Sequence, residues 1–169
     1  MSSCSCVLAE WVELEQNIRQ AVRESLTQVL SVIDPGDHIG GYFGAKIVGM
    51  DSFFIEPILI GEVRNFKAER YQTFCKEKAN RLEAHFISSD SHFSSFQSRD
   101  VSLDRWGGAV MALGKKNWKY IFSFSGLPEL ADEALVLLTA MKVEFMTLDQ
   151  ATMIARLSNN DIFFKTISG

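Results

Sequence analysis

The chain has 169 residues, 47% of them hydrophobic, 11% aromatic and 22% charged, and a formal charge of −4. These values fit a globular chain and exclude a disordered segment, a collagen-like repeat and a strongly basic nucleic-acid binder. No run free of Asp, Glu, Lys and Arg exceeds nine residues, far short of the roughly 20 apolar residues of a membrane-spanning helix.

The N-terminus, Met1 to Glu10, carries no basic segment followed by an apolar one, so it does not read as a secretory signal. The three cysteines, Cys4, Cys6 and Cys75, then point to reduced thiols in a cytoplasmic setting rather than to a disulfide framework. Residues 1–8 are expected to form a flexible tail.

Trp11, Leu14, Ile18, Val22, Leu26, Val29 and Ile33 recur at spacings of three and four, with polar residues between them. This pattern predicts an amphipathic helix over about 9–33, stopped by Asp34-Pro35-Gly36-Asp37. Residues 39–63 read as two strands joined at Gly49-Met50-Asp51-Ser52. Pro57 cannot donate to a ladder and assigns its strand to an edge or a bulge.

Asn65 is a good cap for a second helix over about 66–86. Its apolar stripe (Ala68, Tyr71, Phe74/Cys75, Leu82, Phe86) is broken. Arg64, Lys67, Arg70, Lys76, Lys78 and Arg81 outnumber Glu69, Glu77 and Glu83. Such a basic face reads as solvated, with ion pairs such as Glu77–Arg81.

A long serine-rich loop follows over about 87–105, with seven serines between residues 88 and 102. Loops of this length commonly cover a site. Gly107–Leu113 and Trp118–Ser125 form a second strand pair around the Gly114-Lys-Lys-Asn117 turn, the latter strand placing Trp118, Tyr120, Phe122 and Phe124 on one face. A third helix opens at Gly126-Leu127-Pro128, with Pro128 near its first position. Its acidic residues, Glu129, Asp132 and Glu133, read as surface charge favoured by the helix dipole. A further short helix from Thr147 to about Leu157 and an apolar tail make up a helical extension over 147–169.

Short links between consecutive strands favour antiparallel pairing. The expected fold is a single α+β domain of two layers, with helices on an antiparallel four- or five-stranded sheet, in the order α-β-β-α-β-β-α.

Chemistry-bearing motifs are sparse. There is no H-E-x-x-H or C-x-x-C pattern, and Cys4-Ser5-Cys6 reads as a loose tail, so no metal centre is expected. Ser123-Phe-Ser125-Gly126 lacks the first glycine of a nucleophile elbow. Neither Gly40-Gly-Tyr-Phe-Gly44 nor any other segment fits a nucleotide-binding loop. Lys115, Lys116 and Lys119 beside Trp118 are the sole hint of nucleic-acid contact, against an acidic total.

The helix ending in Lys78-Ala79, the Gly107-Gly-Ala-Val110 strand, Ile121-Phe-Ser-Phe-Ser125-Gly126 and the Asp132-Glu133-Ala134 helix together resemble the GlcG/HbpS-like haem-associated family over about residues 40–146. The proline that family carries in the Gly-Gly strand is absent, and residues 147–169 have no counterpart in it. The resemblance implies a profilin-like fold, a homo-oligomer, and binding of haem or another small ligand.

The expected function is therefore a small cytoplasmic ligand-binding or sensor-type domain, taking haem or a small anionic molecule, with no catalytic residue assigned. Its pocket is expected between the serine loop and the sheet. Phe93, Phe96, Trp106, Gly107 and Gly108 would line it, with Arg99 or Arg105 offering charge. His85 and His92 are the axial candidates for haem. The alternatives are an assembly module acting through an apolar strand or Ile162-Phe-Phe164, and an enzyme acting on a small anionic metabolite.

Overall fold

The computed structural model describes residues 2–34, 36, 38–64, 68–88, 91–114 and 117–169, with side chains from Leu8 onward. The Asn65 cap, Lys67, Pro35, Asp37, Lys115 and Lys116 lie outside the described residues, as do the side chains of Cys4 and Cys6.

Helix α1 runs Ser2–Leu30, so its backbone starts well before residue 9. The strands β1 (His38–Ile47) and β2 (Phe53–Val63) follow as an antiparallel hairpin turned by the Met50 N–H donating to Ile47 O. Helix α2 spans Ala68–Ile87. The serine-rich segment contains two 3₁₀ turns, Ser95–Ser98 and Val101–Leu103. Strands β3 (Ala109–Leu113) and β4 (Lys119–Ser125) form the second hairpin. Helices α3 (Glu129–Lys142), α4 (Leu148–Leu157) and α5 (Asp161–Ser168) complete the chain.

The four strands form one antiparallel sheet in the order β2-β1-β4-β3, which joins the two hairpins through β1 and β4. The α+β class and the antiparallel sheet agree with the sequence pattern. Pro57 sits on the edge strand β2, where a missing N–H costs no ladder bond.

Alternation along β4 divides the sheet's two faces. Tyr120, Phe122 and Phe124 join the large core formed with α1, α3, α4 and α5, whereas Ile121 joins Ala79 and Leu82 of α2. Helix α2 therefore covers the opposite face, giving three layers where the pattern suggests two. With both faces covered, Phe43, Phe122 and Phe124 are wholly buried, each burial contributing about 1.5–3 kcal/mol.

Helix α3 is the most enclosed of the helices, with ten consecutive buried residues from Ala131 to Ala140. It is apolar nearly all round because it packs against β3 and β4 on one side and α1, α4 and α5 on the others. The expected apolar tail is helix α5. Asn160 caps it by accepting from the Phe163 N–H at 3.0 Å, and donates to Leu130 O at 2.9 Å, tying the C-terminus to α3. Phe163 of the Ile162-Phe-Phe164 triplet is buried in the main core.

Candidate functional site

The fold draws a cleft of about 300 Å³ between α2, the end of the serine-rich segment, the end of β4 and the start of α3. Its apolar walls include Phe74, Trp106, Leu127 and Pro128, and its polar groups include Tyr71, Lys78, Ser125 and Asp132. Tyr71, Phe74 and Lys78 fall on one face of α2 because they are three and seven residues apart. Lys78 occupies the position where the apolar stripe of that helix is interrupted.

Lys78 and Asp132 are both 2% exposed, and both line the cleft. The Lys78 ammonium donates to Asp132 Oδ2 at 3.0 Å and to Phe124 O at 2.8 Å. The other carboxylate oxygen, Asp132 Oδ1, accepts from the Leu127 N–H at 2.9 Å. Burial pushes the Asp132 carboxyl up to about 7 despite the Lys78 charge and these hydrogen bonds.

Gly108 explains how Lys78 reaches this position. Its φ is +128°, and a β-carbon there would stand 2.7 Å from Lys78 Nζ and 2.7 Å from Phe124 O. Only glycine suits that backbone and that approach. The Tyr71 hydroxyl stands 3.3 Å from His38 Nε2. Burial, with the Asp132 charge adding to it, pushes the Tyr71 phenol up.

Two readings from the sequence are corrected here. The face of α2 is not solvated throughout, since Lys78 and Arg81 are buried. The Glu77–Arg81 pair is present at 2.8 Å, but Arg81 also donates to Ser95 O, Ser98 Oγ and Trp106 O at 2.8, 2.5 and 2.6 Å. Asp132 and Glu133 are not surface charges; both are buried. Glu133 accepts from Ser94 Oγ at 2.5 Å, Asn160 Nδ2 at 3.0 Å and Ser158 Oγ, and burial pushes its carboxyl up.

The residues expected to line a pocket divide. Trp106 lines the cleft and Gly108 backs it. The Gly107 N–H donates to Glu129 Oε2 at 2.9 Å, and Phe96 packs against Gly107. Arg99 lies over the Phe96 and Trp106 rings at 5.1 and 6.0 Å and pairs with Glu129 on the rim. Phe93 and Arg105 do not line the cleft: Phe93 is 37% exposed, and the exposed Arg105 pairs with Asp100 through the backbone.

His85 and His92 stack on each other with ring centroids 4.6 Å apart, and neither lines the cleft. Haem does not fit this cleft. Among the described residues no histidine, cysteine or methionine lines it, the Tyr71 hydroxyl is engaged with His38, and about 300 Å³ is the small end of the range for ligand pockets. Among the described residues no cluster of three His, Cys, Asp or Glu side chains could hold a metal ion, and no helix is long and apolar enough to cross a membrane. Cys75 is fully buried and its thiol is pushed up to about 12, so it is chemically inert.

Compared with protein-family models, curated proteins and solved structures, the chain matches none.

Proposed function

We propose that this chain is a small ligand-binding or sensor-type domain whose cleft between α2 and the start of α3 takes a compact, partly apolar, anionic molecule. One observation carries this reading: a buried lysine–aspartate pair forms part of a cleft walled by Phe74 and Trp106. Buried charges with no ligand to meet are costly to retain, and perturbed carboxyls in clefts mark functional sites. The motifs holding the pair, Lys78-Ala79 and Asp132-Glu133-Ala134, also carry the resemblance to the GlcG/HbpS-like family, and kinship with that family is part of the proposal. A cytoplasmic setting is a further part, supported by the odd number of cysteines.

The test is a fragment screen on the full-length protein, read by backbone amide shifts in NMR. Shifts grouped on Lys78, Trp106 and residues 125–129 support a ligand site. A cleft silent to every fragment, neutral or charged, overturns it.

An assembly role is supported by a different observation. Met153 and Leu157 of α4, one turn apart on the same face, are 50% and 47% exposed, an apolar pair that a second copy could cover. Light scattering of the wild type and of Met153→Lys tests this: a homo-oligomer that dissociates in the variant supports it, and a wild-type monomer overturns it.

A further inference from the structure

Lys78 has three N–H donors, and two of them are taken by Phe124 O and Asp132 Oδ2. Among the described residues no acceptor meets the third. Ser125, on the same wall, makes no side-chain hydrogen bond to the described residues, so its hydroxyl is a second donor for an incoming oxygen. Phe74 and Trp106 favour a flat body.

Resting on the ligand-binding role above, we propose that the cleft takes a small planar monocarboxylate. One of its oxygens fills the third position of Lys78, and its arrival places a solvent proton on Asp132. Asp132 cannot retreat from such a guest, because Leu127 N–H holds its Oδ1 at 2.9 Å and Lys78 holds its Oδ2 at 3.0 Å. Two carboxylates sharing one buried ammonium cannot both stay ionised, so one proton is shared between them.

The other charges around Asp132 are already engaged. From α2, Arg70 pairs with Asp104 of the loop at 3.1 Å, the Tyr71 hydroxyl meets His38 of β1, and Cys75 is an inert thiol. From α3 itself, Glu129 pairs with Arg99, and Glu133 faces Ser94, Ser158 and Asn160. Lys78 is thus the cation that answers the ligand, and its single charge suits a monoanion better than a phosphate dianion. The burial that lifts Asp132 towards neutrality makes proton uptake easy near physiological pH.

The experiment titrates the full-length protein with benzoate and with benzamide, its neutral counterpart, by calorimetry between pH 6 and 9 in buffers of different ionisation enthalpy. Benzoate is expected to bind with uptake of about one proton at pH 8, and with affinity falling about tenfold per pH unit above 7. Benzamide should bind more weakly and without proton uptake. Asp132→Asn keeps the shape of the site and should bind benzoate with no proton uptake and no such fall. Benzoate binding that is independent of pH, or proton uptake that persists in Asp132→Asn, overturns the proposal. If benzoate fails while neutral fragments shift cleft resonances, the carboxylate assignment falls and the ligand site stands. If no fragment shifts the cleft, both fall.

Discussion

Lys78 and Asp132, 54 residues apart in the chain, close a buried ion pair at 3.0 Å, and Gly108 supplies the gap through which they meet. Three segments converge on that contact: the middle of α2, the opening of β3 and the first turns of α3. The same three segments shape one end of the sheet, so fold and site depend on each other there.

Gly108→Ala is expected to destabilise the protein by at least about 2 kcal/mol, because φ of +128° strains any side chain and its β-carbon would meet backbone at 2.7 Å. Gly107→Ala should cost less. The atoms nearest its β-carbon belong to Phe96, the closest being ring carbon Cδ2 at 3.0 Å, and its φ is not positive. Urea denaturation of both variants decides the matter, and equal losses would show that Gly108 is not the special position.

Lys78→Met leaves Asp132 buried without its cation, a change that costs about 3–5 kcal/mol when the remaining partner is charged. Asp132 takes up a proton near pH 7, so the loss should be larger at pH 8 than at pH 5. The double variant Lys78→Met/Asp132→Leu should recover most of the stability, since no buried charge is left. A double variant no better than the single one would mean that Lys78 acts through packing of its stem.

Element order and strand pairing were legible in the sequence because they rest on periodicity and short links: the aromatic alternation of Tyr120, Phe122 and Phe124 maps directly onto one face of β4. The site was legible only in part. Gly107, Gly108 and Trp106 were among the residues expected to line a pocket, and Trp106 lies in the cleft with Gly108 behind it. Lys78 and Asp132 were read as surface charge because a helical pattern shows which face is polar but not which polar residue is covered by a distant segment. The available clue was the gap in the α2 stripe, which Lys78 fills. His85 and His92 do meet, but on each other rather than in the cleft.

Stability should fall as pH rises from about 4 to about 7. Asp132 and Glu133 both bind protons more tightly folded than unfolded, so in this window the native state holds more protons than the unfolded chain. Their contribution is complete below the unfolded carboxyl pKa and is lost as Asp132 ionises. Asp132→Asn should flatten this slope while leaving the part due to Glu133. Denaturant midpoints at pH 4.5, 6 and 7.5 measure it, and an unchanged slope in the variant would place the titration elsewhere.

Glu133→Ala removes the acceptor shared by Ser94, Ser158 and Asn160. Ser158 keeps Ala155 O at 3.2 Å and Asn160 keeps Leu130 O at 2.9 Å, so the variant strands the Ser94 hydroxyl and one Asn160 N–H. At about 1–3 kcal/mol each, stability should fall by about 2 kcal/mol or more. Glu133→Gln retains one acceptor oxygen and should cost less. If thermal unfolding ranks the two variants the other way, the network matters less than the space the side chain fills.

Arg81 holds the serine-rich segment down by donating to Ser95 O, Ser98 Oγ and Trp106 O from one planar guanidinium. A lysine keeps the charge but cannot span three acceptors set by a rigid fork. Arg81→Lys is therefore expected to speed hydrogen exchange at Gln97, Arg99 and Ala109, whose N–H groups bond within or onto this segment. The expected acceleration is about tenfold or more, with α3 amides unchanged. Because Trp106 forms one wall of the cleft, the same variant should weaken any ligand bound there without altering the Lys78–Asp132 pair. Uniform acceleration across the whole protein would instead make Arg81 a support of the global fold, and the segment would then not open on its own.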